Sequence, residues 1–326
     1  MNDIIENTLE VLRGKITGNP LISVWRHFPE ADLNPKTLTK ATVRDYKLHP
    51  SNLIKLSPHG RFCVADFGCE IIPGLTGRGK SGSSHCKDTV IDTPQKWAEI
   101  EYVDPNDGHL GMQLEFIRLM KQELPEVPKM MTLFSPTMIG NFLSGNQLLD
   151  HLRDSDYKPI IEDALKVISR VMEEYSSACI DAGAEGLFTA VQELDKTRVH
   201  QSQLKDVISL NSRFMDTAKR RAEFTVLHLH GEDVAFKMGI HAFKPTAVNW
   251  HDRTAGPSLE EAANIFPGGL LGGLEPHEVL EGKQKQSVEE AKKLRDRIPM
   301  ILAPGCVLWQ GTPNRIIDDI FAQYRS

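Results

Sequence analysis

The sequence predicts one α/β domain of the TIM-like (β/α)8 barrel type, with a glycine-rich hairpin inserted early in it. Three observations lead there. After residue 107, short apolar runs alternate with helix-length amphipathic stretches, and repeated strand-then-helix units with short links build a parallel sheet. The 326 residues suit a barrel, which takes about 250 residues plus insertions. Polar residues with useful chemistry follow the apolar runs, where barrels of this kind hold their sites. An open doubly wound sheet is the alternative. No low-complexity linker or internal repeat divides residues 1–326.

Residues 3–13 have the apolar spacing of a short helix closed by Gly14. An apolar segment then carries Arg26 and His27 into a loop punctuated by proline, and residues 35–57 read as partly helical. Residues 61–66 are the first strand expected. Next comes a glycine-rich run with Gly-Arg-Gly-Lys-Ser-Gly at 77–82. Such a run invites a phosphate-loop reading, but no helix pattern follows it. A flexible flap over residues 68–92 is expected instead, bringing Arg78 or Lys80 towards an acidic ligand.

Helices are expected at 109–124, 137–150, 157–181, 201–221, 232–240, 257–264, 284–297 and 313–324. Between them lie strand candidates at 130–134, 186–191, 225–229, 247–250, 269–274 and 298–303. With 61–66 they make about seven β/α units.

Composition removes several function classes. The net charge of −6 leaves no basic footprint for nucleic acid. No apolar run is long enough to span a bilayer, and the N-terminal residues lack the pattern of a signal peptide. Five scattered cysteines, Cys63, Cys69, Cys86, Cys179 and Cys306, argue against a disulfide framework and suit a reducing cytoplasm.

The most informative stretch is 222–231, Ala-Glu-Phe-Thr-Val-Leu-His-Leu-His-Gly. His228 and His230 stand two apart on a buried strand, so both imidazoles leave the same face. They suit zinc, or a hydrogen-bonded pair in a polar cleft. Cys306 follows the last strand at the same mouth, and a thiolate with two imidazoles leaves a fourth zinc position open. Glu193, Glu232 and His251 also follow strands and are candidates for proton transfer. Trp250 and Arg253 are candidates for shaping the pocket or holding an acidic group.

Several segments, in order, resemble the uroporphyrinogen decarboxylase superfamily, which includes zinc-dependent, cobamide-linked methyltransferases. Residues 24–30, Val-Trp-Arg-His-Phe-Pro-Glu, resemble the N-terminal arginine motif; 135–145 resemble the Pro-Phe/Trp-Thr-Leu segment. Asp-Ala-Gly-Ala-Glu-Gly at 181–186, the glycine-rich stretch ending Glu275-Pro276, and Gly305-Cys306 followed by Thr312-Pro313 complete the likeness. The resemblance implies a barrel, a homodimer and substrate contacts at Arg26, Arg78 and Asn141. Three decarboxylase positions differ: its aspartate falls at Gly68, its tyrosine at Asn141 and its histidine at Cys306. The methyltransferase pattern His-x-Cys-Gly reads here His228-Leu229-His230-Gly231. It implies zinc on His228, His230 and Cys306, with one anionic ligand fewer, and a methyl group moving between a small methylated compound or thiol and a corrinoid carried by a partner protein. Metal-free decarboxylation of a porphyrinogen and a non-catalytic tetrapyrrole- or corrinoid-binding role are the competing expectations.

Overall fold

The computed structural model describes residues 3–326. Helix α1 (Asp3–Leu12) and helix α2 (Pro35–Leu48) precede the sheet. Asn34 caps α2 by accepting the backbone N–H groups of Lys36 and Thr37, with proline at the first helical position. Strand β1 (Ile54–Leu56) and helix α3 (Phe62–Ala65) follow.

Here the sequence expectation is corrected. The apolar run 61–66 is helical, and the first strand lies inside the stretch read as partly helical. Four consecutive apolar residues suit a buried helical turn as well as a buried strand, so periodicity does not separate them.

Strands β2 (Ile71–Ile72) and β3 (His85–Cys86) pair antiparallel. This ladder brings Cys69 and Cys86 together as a disulfide with Cα atoms 5.7 Å apart, against the expectation of free cysteines. Residues 74–81, Gly-Leu-Thr-Gly-Arg-Gly-Lys-Ser, have phosphate-loop spacing, but the chain runs from β2 to β3 with no helix between. No helix N-terminus is therefore available to face a phosphate.

The rest alternates regularly: α4 (Gly108–Glu123), β4 (Lys129–Phe134), α5 (Pro136–Leu143), α6 (Leu148–His151), α7 (Lys158–Asp181) and β5 (Gly186–Val191). Then come α8 (Leu204–Arg221), β6 (Phe224–Leu229), α9 (Phe236–Phe243), β7 (Ala247–Trp250), α10 (Leu259–Ala263) and β8 (Gly269–Leu274). The chain closes with α11 (Pro276–Leu280), α12 (Lys285–Leu294), β9 (Met300–Pro304) and α13 (Asn314–Arg325). The expected helix at 137–150 is two, because Gly145 and Asn146 both take positive φ and turn the chain.

Seven strands form one parallel sheet in the order β1-β4-β5-β6-β7-β8-β9. Residues 21–24 reach both of its edges: Ser23 N–H donates to Leu302 O on β9, and Ser23 Oγ–H donates to Leu53 O beside β1. The sheet curls in a manner consistent with a TIM-like barrel. Its strands are buried throughout β4 to β9 apart from Phe134, as expected when helices cover a parallel sheet. No described helix is long and apolar enough to cross a membrane.

Candidate metal centre

Strand parity decides what faces the mouth, because successive side chains alternate. On β6, His228 points inward and His230 follows two residues on. The parallel register sets His228 opposite Asn249 of β7, so Asn249 and His251 share the inward parity and Trp250 faces out. Gly305, just after β9, brings the fourth group in. A Cβ there would lie 2.9 Å from Trp250 O and 3.0 Å from His251 Cα, so glycine permits the close approach that sets Cys306 beside His251.

The result is a cluster. His228, His230, His251 and Cys306 each offer one donor atom, all within 4.8 Å of one another. Cys306 Sγ lies 3.9 Å from His230 Nδ1, close to the roughly 3.3–3.8 Å edge of a tetrahedral zinc site with these ligand types. Three imidazoles and a thiol are a zinc-competent set, and the residues fit such an ion.

Electrostatics prepare the donors. Burial holds His228 well below the usual imidazole range, helped by His230, His251 and Lys55. Burial likewise lowers His230. Both rings are therefore neutral and free to donate a lone pair. Burial pushes the Cys306 thiol up, but the hydrogen bond and charge of His251, the Val307 N–H and Lys55 outweigh it, and the net direction is down. A lowered thiol favours the thiolate that binds metal.

The cluster opens into a cavity of about 350 Å³. One wall is apolar, with Trp25, Phe134, Met138, Phe142 and Phe188. Another is cationic. Lys55 is buried, donates to Ser57 Oγ at 3.1 Å, and sits 4.6 Å from the Phe188 ring centroid. Burial brings its ammonium down to about 8. Arg61 lies over Phe142, with the guanidinium carbon 3.6 Å from the ring centroid. Phe188 in turn stacks on His228 at 5.1 Å.

The other sequence candidates stand elsewhere. Glu193 is buried but has outward parity; it accepts from Thr137 Oγ1 at 2.9 Å and Asn141 Nδ2 at 2.7 Å beneath α5. Burial raises its carboxyl while those hydrogen bonds oppose the rise. This pairing takes Asn141 away from the cavity as well. Glu232 is exposed. Trp250 is buried on the helix side, donating Nε1–H to Pro257 O and packing on Phe236. Arg253 pairs with Glu290, and Arg26 with Asp45. Arg78 pairs with Glu281 at 2.8 Å, so the flap turns its arginine outward; Ser81 and Ser83 are the hairpin residues that line the cavity.

Two contributors were missed as functional candidates. Lys55 was hidden in a three-residue strand. Asp195 accepts the N–H groups of Thr197, Glu232 and Asp233, which holds the loop after His230. A Cβ at Gly231 would lie 2.5 Å from that carboxyl group, so this turn requires glycine.

The uroporphyrinogen decarboxylase family model matches residues 22–325. The chain belongs to that family. Curated relatives include the methylcobamide:CoM methyltransferase MtaA of Methanosarcina barkeri (strain Fusaro / DSM 804), 23% identical over 88% of this chain and 83% of that protein. A second MtaA of Methanosarcina barkeri is 23% identical over 90% of this chain and 86% of its own length. Among solved structures, a methyltransferase from Methanosarcina mazei superposes with a TM-score of 0.80 at 18% identity, covering 98% of each chain. A B12-independent methionine synthase from Shewanella sp. W3-18-1 has a TM-score of 0.55 at 12% identity, covering 96% of this chain and 97% of that one. These two likenesses concern the fold.

Proposed function

We propose that this (β/α)8-barrel protein is a zinc-dependent methyltransferase that moves a methyl group between a corrinoid carrier, held by a partner protein, and a small thiol or methylated compound. The observation that carries the reading is the convergence of three imidazoles and one thiol at one end of the cavity. The methyltransferase names of its curated relatives support it.

His228, His230 and Cys306 would hold the zinc ion. His251 stands on a loop rather than a strand, so it is the donor best able to yield its place to substrate. Zinc bound there supplies Lewis acidity, which favours a nucleophilic thiolate or improves a heteroatom leaving group. His251, once displaced, is placed to take the thiol proton on a ring nitrogen. Lys55 holds a negatively charged end of the substrate, with Arg61 close by. The aromatic wall excludes water and strengthens these interactions. One thiolate with neutral imidazoles leaves a zinc site net positive, which favours an anionic acceptor.

Porphyrinogen decarboxylation fits less well. It needs several cations around the cleft, and Arg26 and Arg78 are tied to Asp45 and Glu281.

The test is methyl transfer from methylcobalamin, or from a methylated corrinoid protein, to a panel of small thiols, read as loss of the methyl–cobalt absorbance and thioether mass. Transfer that stops on chelation and returns with zinc is expected. No transfer from either donor, together with loss of carboxyl groups from a porphyrinogen, would overturn the proposal.

A further inference from the structure

We propose that Asn249 is a positioning residue that fixes the tautomer of His228, leaving Nε2 as the nitrogen this ring offers to the donor cluster. The Asn249 amide can take only one orientation. Asn249 is fully buried, so no water can replace its partners. Its Nδ2 donates to Leu271 O at 2.9 Å and to Pro304 O at 3.1 Å. Both are backbone carbonyls, which only accept. In the flipped orientation, Oδ1 would lie against two acceptors with no proton between them, and a buried polar clash of this kind is costly. Oδ1 therefore faces His228 Nδ1, at 2.6 Å, and accepts from it. The proton sits on Nδ1, and the lone pair on Nε2.

The backbone register builds this in. His228 is opposite Asn249, and Asn249 is opposite Leu271, while Pro304 ends β9. One side chain thus spans β6 to β9 at the level where the donors converge. A partner on the far ring nitrogen orients a ligating histidine and raises its basicity. Phe188, stacked on the other side of His228, restricts the ring further.

The importance for metal binding depends on the zinc reading above; the tautomer does not. The first measurement is a long-range proton–nitrogen correlation spectrum of the metal-free protein with labelled histidine. A proton on Nδ1 of His228 is expected, and a proton on Nε2 would overturn the proposal. The second is Zn2+ affinity by competition with a chromophoric chelator. Asn249→Leu should weaken it about 10–100-fold, the usual cost of losing such a partner. Asn249→Asp keeps an oxygen facing Nδ1 and, with its other oxygen protonated, can still donate to Leu271 O or Pro304 O; it should bind more tightly than Asn249→Leu. Equal affinity of wild type and Asn249→Leu, or of the two variants, would overturn the role. Should Asn249→Leu fail to fold, Asn249→Ser replaces it, and the wild-type tautomer still decides. Wild type with Nδ1–H but no zinc affinity would sink the zinc reading alone; zinc binding with Nε2–H would sink only the role of Asn249.

Discussion

The two ends of the cavity are built differently. At one end, donors project from strand ends or the residues just after them, and the inter-strand register fixes their parity. At the other end, a three-residue strand, a loop and the hairpin supply Lys55, Arg61, Ser81 and Ser83. The first end needs only strands to place its groups. The second needs tertiary contacts: Gly79 N–H donates to Gln310 O, and Gln310 N–H donates to Lys80 O, so the hairpin is seated by the loop after β9. In the proposed function, chemistry that demands fixed geometry would sit on the regular end, and recognition on the assembled end.

Substitutions at the two ends separate their roles. The largest effect is expected at the donor end: Cys306→Ser should cut methyl transfer by at least ~100-fold with little change in melting temperature, because the thiol would serve the metal while serine nearly keeps the side chain's size against the core. Equal losses of activity and stability would show that the cluster is structural. Next is Lys55→Met. It should raise KM for anionic thiols about 10-fold or more, the value of a charge-assisted contact, and leave neutral thiols unchanged. It should also stabilise the fold by on the order of 1–3 kcal/mol, since burying an ammonium is costly. A stability loss with KM unmoved would remove Lys55 from recognition.

A smaller, pH-dependent effect is expected at His59. Burial holds its pKa down to about 3 from 6.5, with His109 and Arg61 adding to the shift, and its Nδ1 lies 3.0 Å from Ser84 Oγ on the hairpin side. Below pH 6.5 the unfolded chain takes up a proton that the folded protein refuses, so stability falls as pH drops from 6.5 towards 3. His59→Asn should flatten that fall, measured as melting temperature against pH; parallel curves for the two proteins would contradict it. The smallest effect is expected at Arg78. Its ion pair with Glu281 is exposed, so Arg78→Ala should change KM by less than about 2-fold. A larger change would give the flap the ligand contact that sequence reasoning expected.

The same division explains what was legible. The alternation of β6 placed two histidines on one face, and Cys306 follows a strand, so the donor set could be read directly. His251 was recognised as a strand-end residue but given proton transfer rather than coordination, because only the register with β6 shows that it shares inward parity. Trp250 and Glu193 were drawn into the site for the same reason in reverse: sequence position puts them at strand ends, and parity turns them outward. Lys55 escaped because Ile-Lys-Leu is too short to show a period and follows a helix. The phosphate-loop spacing at 74–81 was rightly set aside, since a motif without its strand-and-helix context is only a spacing.

Whether His228, His230 and Cys306, with His251 as the displaceable donor, hold one zinc ion is tested most directly by elemental analysis of protein purified without chelator. About one zinc per chain is expected in the wild type, with loss of zinc in His228→Ala and Cys306→Ser while the fold is retained, and retention in His230→Cys, since thiolate and imidazole both serve zinc. A wild type that contains no zinc and cannot be loaded with it would contradict the account.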